Sequence, residues 1–331
     1  MSGCGVLNPF ACGTLPLAQF VSDGLRWLVD NYRPIFQVVK APFDTVLQSL
    51  ASFMTSAPPL LVIIIIVLVA WQLASWRLAV VVGAILFFIG FIGVWTETMI
   101  TLSIVLTALI FAVAIGIPFG ILATRSEWLY AVLRPLLDGM QTIPAFVYLV
   151  PIVMLFGIGN VPGVIVTVIF AVSPVIRLTY LGIVQVPEEV IEAMRAFGAN
   201  ERQLLLKAQL PLALPTIMAG VNQTLMMSLS MVVISSMIAV GGLGQMVLRG
   251  IGRLDVGLAT TGGLGIVALA IVLDRLTQAL ARRRRRPGEV WEHGPVAAVN
   301  RLFAQFKASS VQASVASETP HHLGSGGKGA T

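Results

Sequence analysis

Charge is scarce in this sequence. Only 11% of its 331 residues are Asp, Glu, Lys or Arg, against about 25% in soluble domains, so a fully water-exposed surface cannot be built from it. The shortage is concentrated: no charged residue occurs from Thr98 to Thr124, from Gly139 to Ile176, or from Ala208 to Leu248. A bilayer span needs roughly 20 apolar residues, and the second and third blocks are long enough for two passes, or for one pass and a buried hairpin. Lipid offers no partner to free backbone groups, so these blocks are expected to be helical.

Histidine and lysine are nearly as rare. The three histidines, His293, His321 and His322, all lie near the C-terminus, which excludes a His-based acid–base or zinc site within the membrane. Of the four lysines, Lys328 is followed by Gly and Lys207 lacks a Gly-rich loop, so no phosphate-cradling Gly-x-x-x-x-Gly-Lys-Ser/Thr motif exists. No catalytic residue, metal site or cofactor is therefore expected in this chain, and any ATP must be hydrolysed by another subunit. Cysteine is limited to Cys4 and Cys12, which either pair in an oxidising compartment or stay free. No charged stretch leading into a short apolar one opens the chain, so no cleaved signal is predicted.

What is present is apolar: 57% hydrophobic residues and a mean hydropathy of +0.91. Seven spans are predicted, at Leu60–Ala74, Leu78–Trp95, Thr98–Ala123, Leu136–Phe156, Val164–Val184, Leu212–Val240 and Leu258–Ala281. The run Arg282 to Arg286 after the last span predicts a cytoplasmic C-terminus by the positive-inside rule. Counting back puts the 185–212 loop, the Arg125–Arg134 loop and Arg77 inside. The Gly157–Gly163 turn and a 241–257 loop carrying Arg249, Arg253 and Asp255 fall outside, with the N-terminal tail.

Three regions follow. Residues 1–57 form a tail whose positions Leu17, Phe20, Val21, Leu25, Leu28 and Val29 repeat at helical spacing, giving an amphipathic helix that lies either on the membrane surface or against the bundle. Residues 58–281 form the membrane domain. Residues 282–331 form a basic tail, Ser/Ala/Gly-rich beyond Ser309 and expected to be disordered. The net charge of +6 does not point to nucleic acid, because no aromatic–basic interleaving accompanies the arginine run.

One segment between spans has its own architecture. Pro187 with Glu188 and Glu189 marks a helix start, with fixed φ and acids at the positive dipole end. Val190, Ala193, Met194 and Phe197 repeat at helical spacing. Gly198 then interrupts as a C-terminal glycine does. A second short helix is predicted through Leu206, closed by Pro211. Two small helices joined at a Gly corner thus make an ordered cytoplasmic element at 186–212.

Within it, Glu192-Ala193, Gly198 and, after nine residues, Ala208-Gln209-Leu210-Pro211 resemble the EAA signature of ABC importer permeases. Met194 and Ala208 depart mildly from that pattern. The stretches Gln209–Thr224 and Ser235–Asp255 are similar to the glycine betaine/proline betaine (ProW-type) permease family, with similarity from about residue 58 to about residue 300. The resemblance implies an all-α type I importer (MetI-like) fold, two copies of this chain, two ATPase subunits and a substrate-binding protein outside the inner membrane. It also implies that Glu192, Ala193, Gly198, Leu210 and Pro211 couple the bundle to the ATPase, and that the cargo is a compatible solute such as glycine betaine.

Two further readings stand beside this one: the same architecture carrying choline, carnitine or another quaternary amine, and an ATP-independent secondary transporter. Coupled carriers keep ionisable groups inside the membrane, whereas here Asp138, Arg177, Asp274 and Arg275 are placed toward cytoplasmic span ends. A quaternary ammonium favours aromatic faces. Phe146 and Tyr148 after Pro144, with Asn222 and Gln223 in the sixth span, either line the path or serve ordinary packing and interhelical hydrogen bonding.

Overall fold

The computed structural model describes residues 16–283. The cysteines, the remainder of the Arg282–Arg286 run with its side chains, and the C-terminal tail with its predicted disorder lie outside the described residues. Within them the chain is helical: α1 (Leu17–Ser56), α2 (Pro59–Leu73), α3 (Trp76–Phe91), α4 (Trp95–Arg125), α5 (Glu127–Thr142), α6 (Leu149–Phe156), α7 (Asn160–Val184), α8 (Glu188–Ala196), α9 (Glu201–Leu204), α10 (Leu210–Ser235), α11 (Leu243–Arg253) and α12 (Val256–Arg283).

All seven expected apolar segments are helical, but not all are single straight spans. Trp95–Arg125, Asn160–Val184, Glu201–Ile238 and Val256–Ala281 are each long and apolar enough to cross a bilayer. α2 and α3, at 15 and 16 residues, reach only about 23 Å at 1.5 Å per residue, less than the roughly 30 Å hydrocarbon core. They pair as a short hairpin turning at Ala74-Ser75, where the Ser75 hydroxyl accepts from the Leu78 amide.

The expected span Leu136–Phe156 is broken. α5 and the following helical stretch Ala145–Phe156 meet at 106°. Ile143, preceding Pro144, is extended at φ −69°, ψ 129°, as the proline ring demands of its neighbour. The same chemistry at Ala57-Pro58 sets α1 and α2 at 111°. The amphipathic pattern of residues 17–36 belongs to the longer helix α1, whose first half leaves Phe20, Val21 and Trp27 exposed. Its second half docks on the bundle: Phe43 stacks on Phe111 of α4 with centroids 4.0 Å apart, and Phe36 meets Phe156 edge-on.

α7 is the axis of the bundle. Its apolar window is 78% buried, against 33% for α12, so α12 keeps a broad face for lipid or another chain. Small residues let α4 and α7 close in. A Cβ on Gly120 would stand 2.6 Å from Thr179 Cβ and 2.9 Å from the Ile176 carbonyl oxygen, so this helix-to-helix approach requires glycine. Across α7's other face, Gly220 of α10 lies against Leu178 and the Pro174 carbonyl.

The far end of the bundle is tied by its backbone. The Gly159 amide donates to the Ile238 carbonyl at 3.0 Å, Asn160 Oδ1 accepts from the Gly241 amide at 2.8 Å, and Thr101 Oγ1 accepts from the Leu243 amide at 2.9 Å. The region expected to be a loop over 241–257 is instead mostly α11. Leu254 closes that helix in the left-handed region at φ 55°, and Asp255 caps α12 by accepting from the Leu258 amide. The periodicity of Leu243, Met246, Val247 and Gly250 accounts for the helix; the charges on its other side made it look like a connection.

Candidate coupling site

The segment between α7 and α10 is built from local signals. Glu188 and Glu189 occupy the first turn of α8 and Arg195 its last, each on the side the helix dipole favours. The helix then closes in a Schellman arrangement. The Ala199 amide donates to the Met194 carbonyl and the Gly198 amide to the Arg195 carbonyl, at 3.0 and 2.9 Å, with Gly198 at φ +77°. A side chain there would pay the left-handed steric cost. Asn200 starts α9 with a reciprocal capping box: its Oδ1 accepts from the Gln203 amide, and Gln203 Oε1 accepts from the Asn200 amide.

Pro211 does not close a second short helix. Glu201–Ile238 runs continuously, because Leu205–Gln209 forms a π-turn immediately before the proline. A wider turn absorbs the missing proline N–H without ending the helix. Leu205 and Leu210 pack against Ile183, Ala213 and Ile217, which seats this root in the bundle.

α8 itself has no buried residue. Glu192, Ala193 and Gly198 are exposed, and the Phe197 ring is 92% accessible. Leu210 is half-buried and Pro211 exposed at the head of α10. The signature residues therefore divide into a projecting group, Glu192, Ala193 and Gly198, and a root, Leu210 and Pro211.

Between the two groups lies a contact that sequence reasoning missed. Glu201 Oε2 accepts from Arg125 Nη1 at 2.7 Å, and its Oε1 accepts from Arg195 Nη2 at 3.1 Å. Arg125 ends α4 and Arg195 ends α8, so one carboxylate joins the projecting helix, the root helix and a neighbouring bundle helix. These hydrogen bonds to two guanidinium groups hold the Glu201 carboxyl below its ordinary range. In sequence Arg125 reads only as loop charge, and no local signal links it to a residue 76 positions away. A second cross-helix pair, Arg177 with Asp138, fixes α5 to α7, beside stacked Tyr130 and Tyr180 rings with centroids 3.7 Å apart.

The residues considered for the cargo path are dispersed. The Tyr148 hydroxyl donates to the Met140 carbonyl at 2.9 Å and its ring meets Phe170 edge-on. Phe146 and Gln223 are exposed. Asn222 reaches across to α12, where Nδ2 donates to Asp274 at 3.2 Å. Among the described residues, no hydrogen bond or ring contact joins Phe146 or Tyr148 to Asn222 or Gln223.

The described residues thus form a bundle of helices long and apolar enough to cross a membrane, with an exposed helical element at one end. Residues 116–286 match the family described as "Binding-protein-dependent transport system inner membrane component". The chain is 58% identical to the glycine betaine/proline betaine transport system permease protein ProW of Escherichia coli K12 over 90% of this chain and 85% of that one. It is 42% identical to the glycine betaine/carnitine transport permease protein GbuB of Listeria monocytogenes over 82% of this chain and 98% of that one. Among solved structures, the inward-facing MetNI methionine ABC transporter superposes with a TM-score of 0.53 at 23% identity, over 60% of this chain and 97% of that chain; this likeness concerns the fold alone. The chain belongs to the family of inner-membrane components of binding-protein-dependent transport systems.

Proposed function

We propose that this chain is the membrane-spanning subunit of an ATP-driven importer of glycine betaine and proline betaine, working as a homodimer with two copies of a separate ATPase and an external substrate-binding protein. The observation that carries the reading is the 58% identity to a permease of that name across 90% of the chain. The exposed α8 supports the coupling role, because a helix with no buried residue is stable in this position when a partner covers it. The ATPase closes on ATP binding and pushes on Glu192, Ala193 and Phe197. Gly198, Glu201, Leu210 and Pro211 pass the displacement to α4 and α10. The Arg282–Arg286 run supports a cytoplasmic C-terminus, with α8 on the same side.

Phe146, Tyr148, Asn222 and Gln223 are proposed to flank the path. ATP is bound by the partner subunit, and this chain holds no cofactor. Similarity to a glycine betaine/carnitine permease favours a second cargo of the same chemistry. The test is uptake of labelled glycine betaine into vesicles holding this chain with its ATPase and binding protein. Uptake that requires all three proteins and ATP is expected, and competition by carnitine or choline ranks the cargoes. ATP-independent uptake by this chain alone would overturn the proposal.

A further inference from the structure

Asp274 is a carboxylate about two-thirds of the way along α12, with no cation paired to it among the described residues. Its oxygens accept from Gln278 Nε2 at 2.8 Å each, and Oδ1 accepts from Asn222 Nδ2 at 3.2 Å. The Thr277 hydroxyl donates to Asn222 Oδ1, so the Asn222 amide is held with its nitrogen toward the carboxylate. Four side chains from two helices thus form one polar cluster.

The amide partners hold the carboxylate between the two helices. Asn222 lies 12 residues beyond Leu210, the head of α10, or about 18 Å along the axis. Asp274 lies 18 residues into the 28-residue α12, about 27 Å of roughly 42 Å. Since the two side chains touch, the cluster sits within the helix pair, about 14 Å from the Arg283 end of α12, on the side the sequence suggested. The nearest arginine in sequence, Arg275, is exposed on the adjacent position, about 100° around the helix. Arg177 is committed to Asp138.

A half-buried carboxylate within a membrane helix faces a watered path or a protein neighbour rather than hydrocarbon. Amide donors orient a carboxylate without cancelling its charge. What remains is a negative site aimed by Asn222 and Gln278, on a helix pair that leaves much of α12 uncovered. A quaternary ammonium is its chemical complement: permanently positive, unable to donate a hydrogen bond, and bound by a fixed counter-charge.

We propose that the Asn222–Asp274–Thr277–Gln278 cluster is a cation subsite on the translocation path, where Asp274 receives the quaternary ammonium head of the cargo and Asn222 positions the carboxylate. This rests on the betaine reading of the cargo. The experiment uses the complete importer in proteoliposomes, measuring labelled glycine betaine taken up per ATP hydrolysed. Asp274→Asn is expected to lower that ratio roughly tenfold, with ATP hydrolysis within about twofold and the melting temperature of the complex unchanged. Asp274→Glu, which restores the charge, is expected to recover part of the ratio, and Asn222→Ala to lose less than Asp274→Asn.

Wild-type uptake of betaine with an unchanged ratio in Asp274→Asn would overturn the subsite while leaving the cargo assignment standing. Equal losses in Asp274→Asn and Asn222→Ala, with a matching fall in melting temperature, would also overturn it by making the cluster a helix-packing device. Failure of the wild-type complex to import any quaternary amine would overturn the cargo reading, and the subsite with it.

Discussion

Glu201 and Arg125 stand 76 residues apart in sequence and 2.7 Å apart in space, with Arg195 on the other oxygen of the same carboxylate. The pair lies in solvent, where ion pairs contribute little to stability, so its effect should appear in motion. Glu201→Gln is expected to leave the melting temperature nearly unchanged and to lower uptake per ATP hydrolysed. Arg125→Gln should do the same, and the double variant should be no worse than the worse single one, as for two groups acting through one contact. Additive losses would mean the two residues act separately.

Acid should loosen this contact late. The guanidinium groups depress the Glu201 carboxyl, so the bonded form is fully present above the ordinary carboxylate range and is lost only as pH falls through the lowered folded value. Coupling measured against pH is expected to hold through the normal Glu range in the wild type. Glu201→Gln should show no such acid limb, and an identical limb in both would assign it to another group.

Gly198→Val should damage coupling more than folding. The residue sits at φ +77° with open space where a Cβ would go, so the strain is in the backbone alone, about 1–2 kcal/mol. Gly198→Asn, which tolerates this conformation, is expected to retain most transport. The check is the ratio of uptake to ATP hydrolysis in both variants, and equal behaviour would remove the left-handed corner from the mechanism.

Phe197 offers an exposed ring at the tip of α8. Phe197→Ala is expected to leave the isolated chain as stable as before while weakening its association with the ATPase by about 2 kcal/mol, the size of an aromatic hot spot. Co-purification at graded detergent and salt would read it. Unchanged association would move the docking surface elsewhere on the segment.

Gly120→Val tests the bundle rather than the site. A branched side chain placed 2.6 Å from Thr179 Cβ forces α4 and α7 apart, at about 1–3 kcal/mol for an overpacked contact. Reduced yield of folded protein and a lower melting temperature are expected, with partial recovery on adding Thr179→Ala.

Much of this was legible in the sequence because the signals are local. Uncharged blocks located the long helices, and Pro187, Gly198 and the glutamates between them located α8. Pro144 is equally visible, yet the unbroken apolar run around it reads as one straight span; the proline's restriction on the preceding residue outweighs that run. Pro211 failed in the opposite sense, since a π-turn kept the helix whole where a stop was expected. Glu201–Arg125 and Asn222–Asp274 could not be found at all, because each depends on helices meeting in three dimensions, and neither partner carries a spacing that names the other.

The π-turn has one more consequence. Glu201–Ile238 is a single 38-residue rod, about 57 Å long, with the carboxylate junction at one tip and the Gly159–Ile238 tie at the other. Each residue of an α-helix turns the chain by about 100°, so the extra residue held in Leu205–Gln209 sets the angular phase between the two tips. Deleting one residue there would leave both ends intact and aim them in different directions, a fault of timing in a shaft whose bearings are sound.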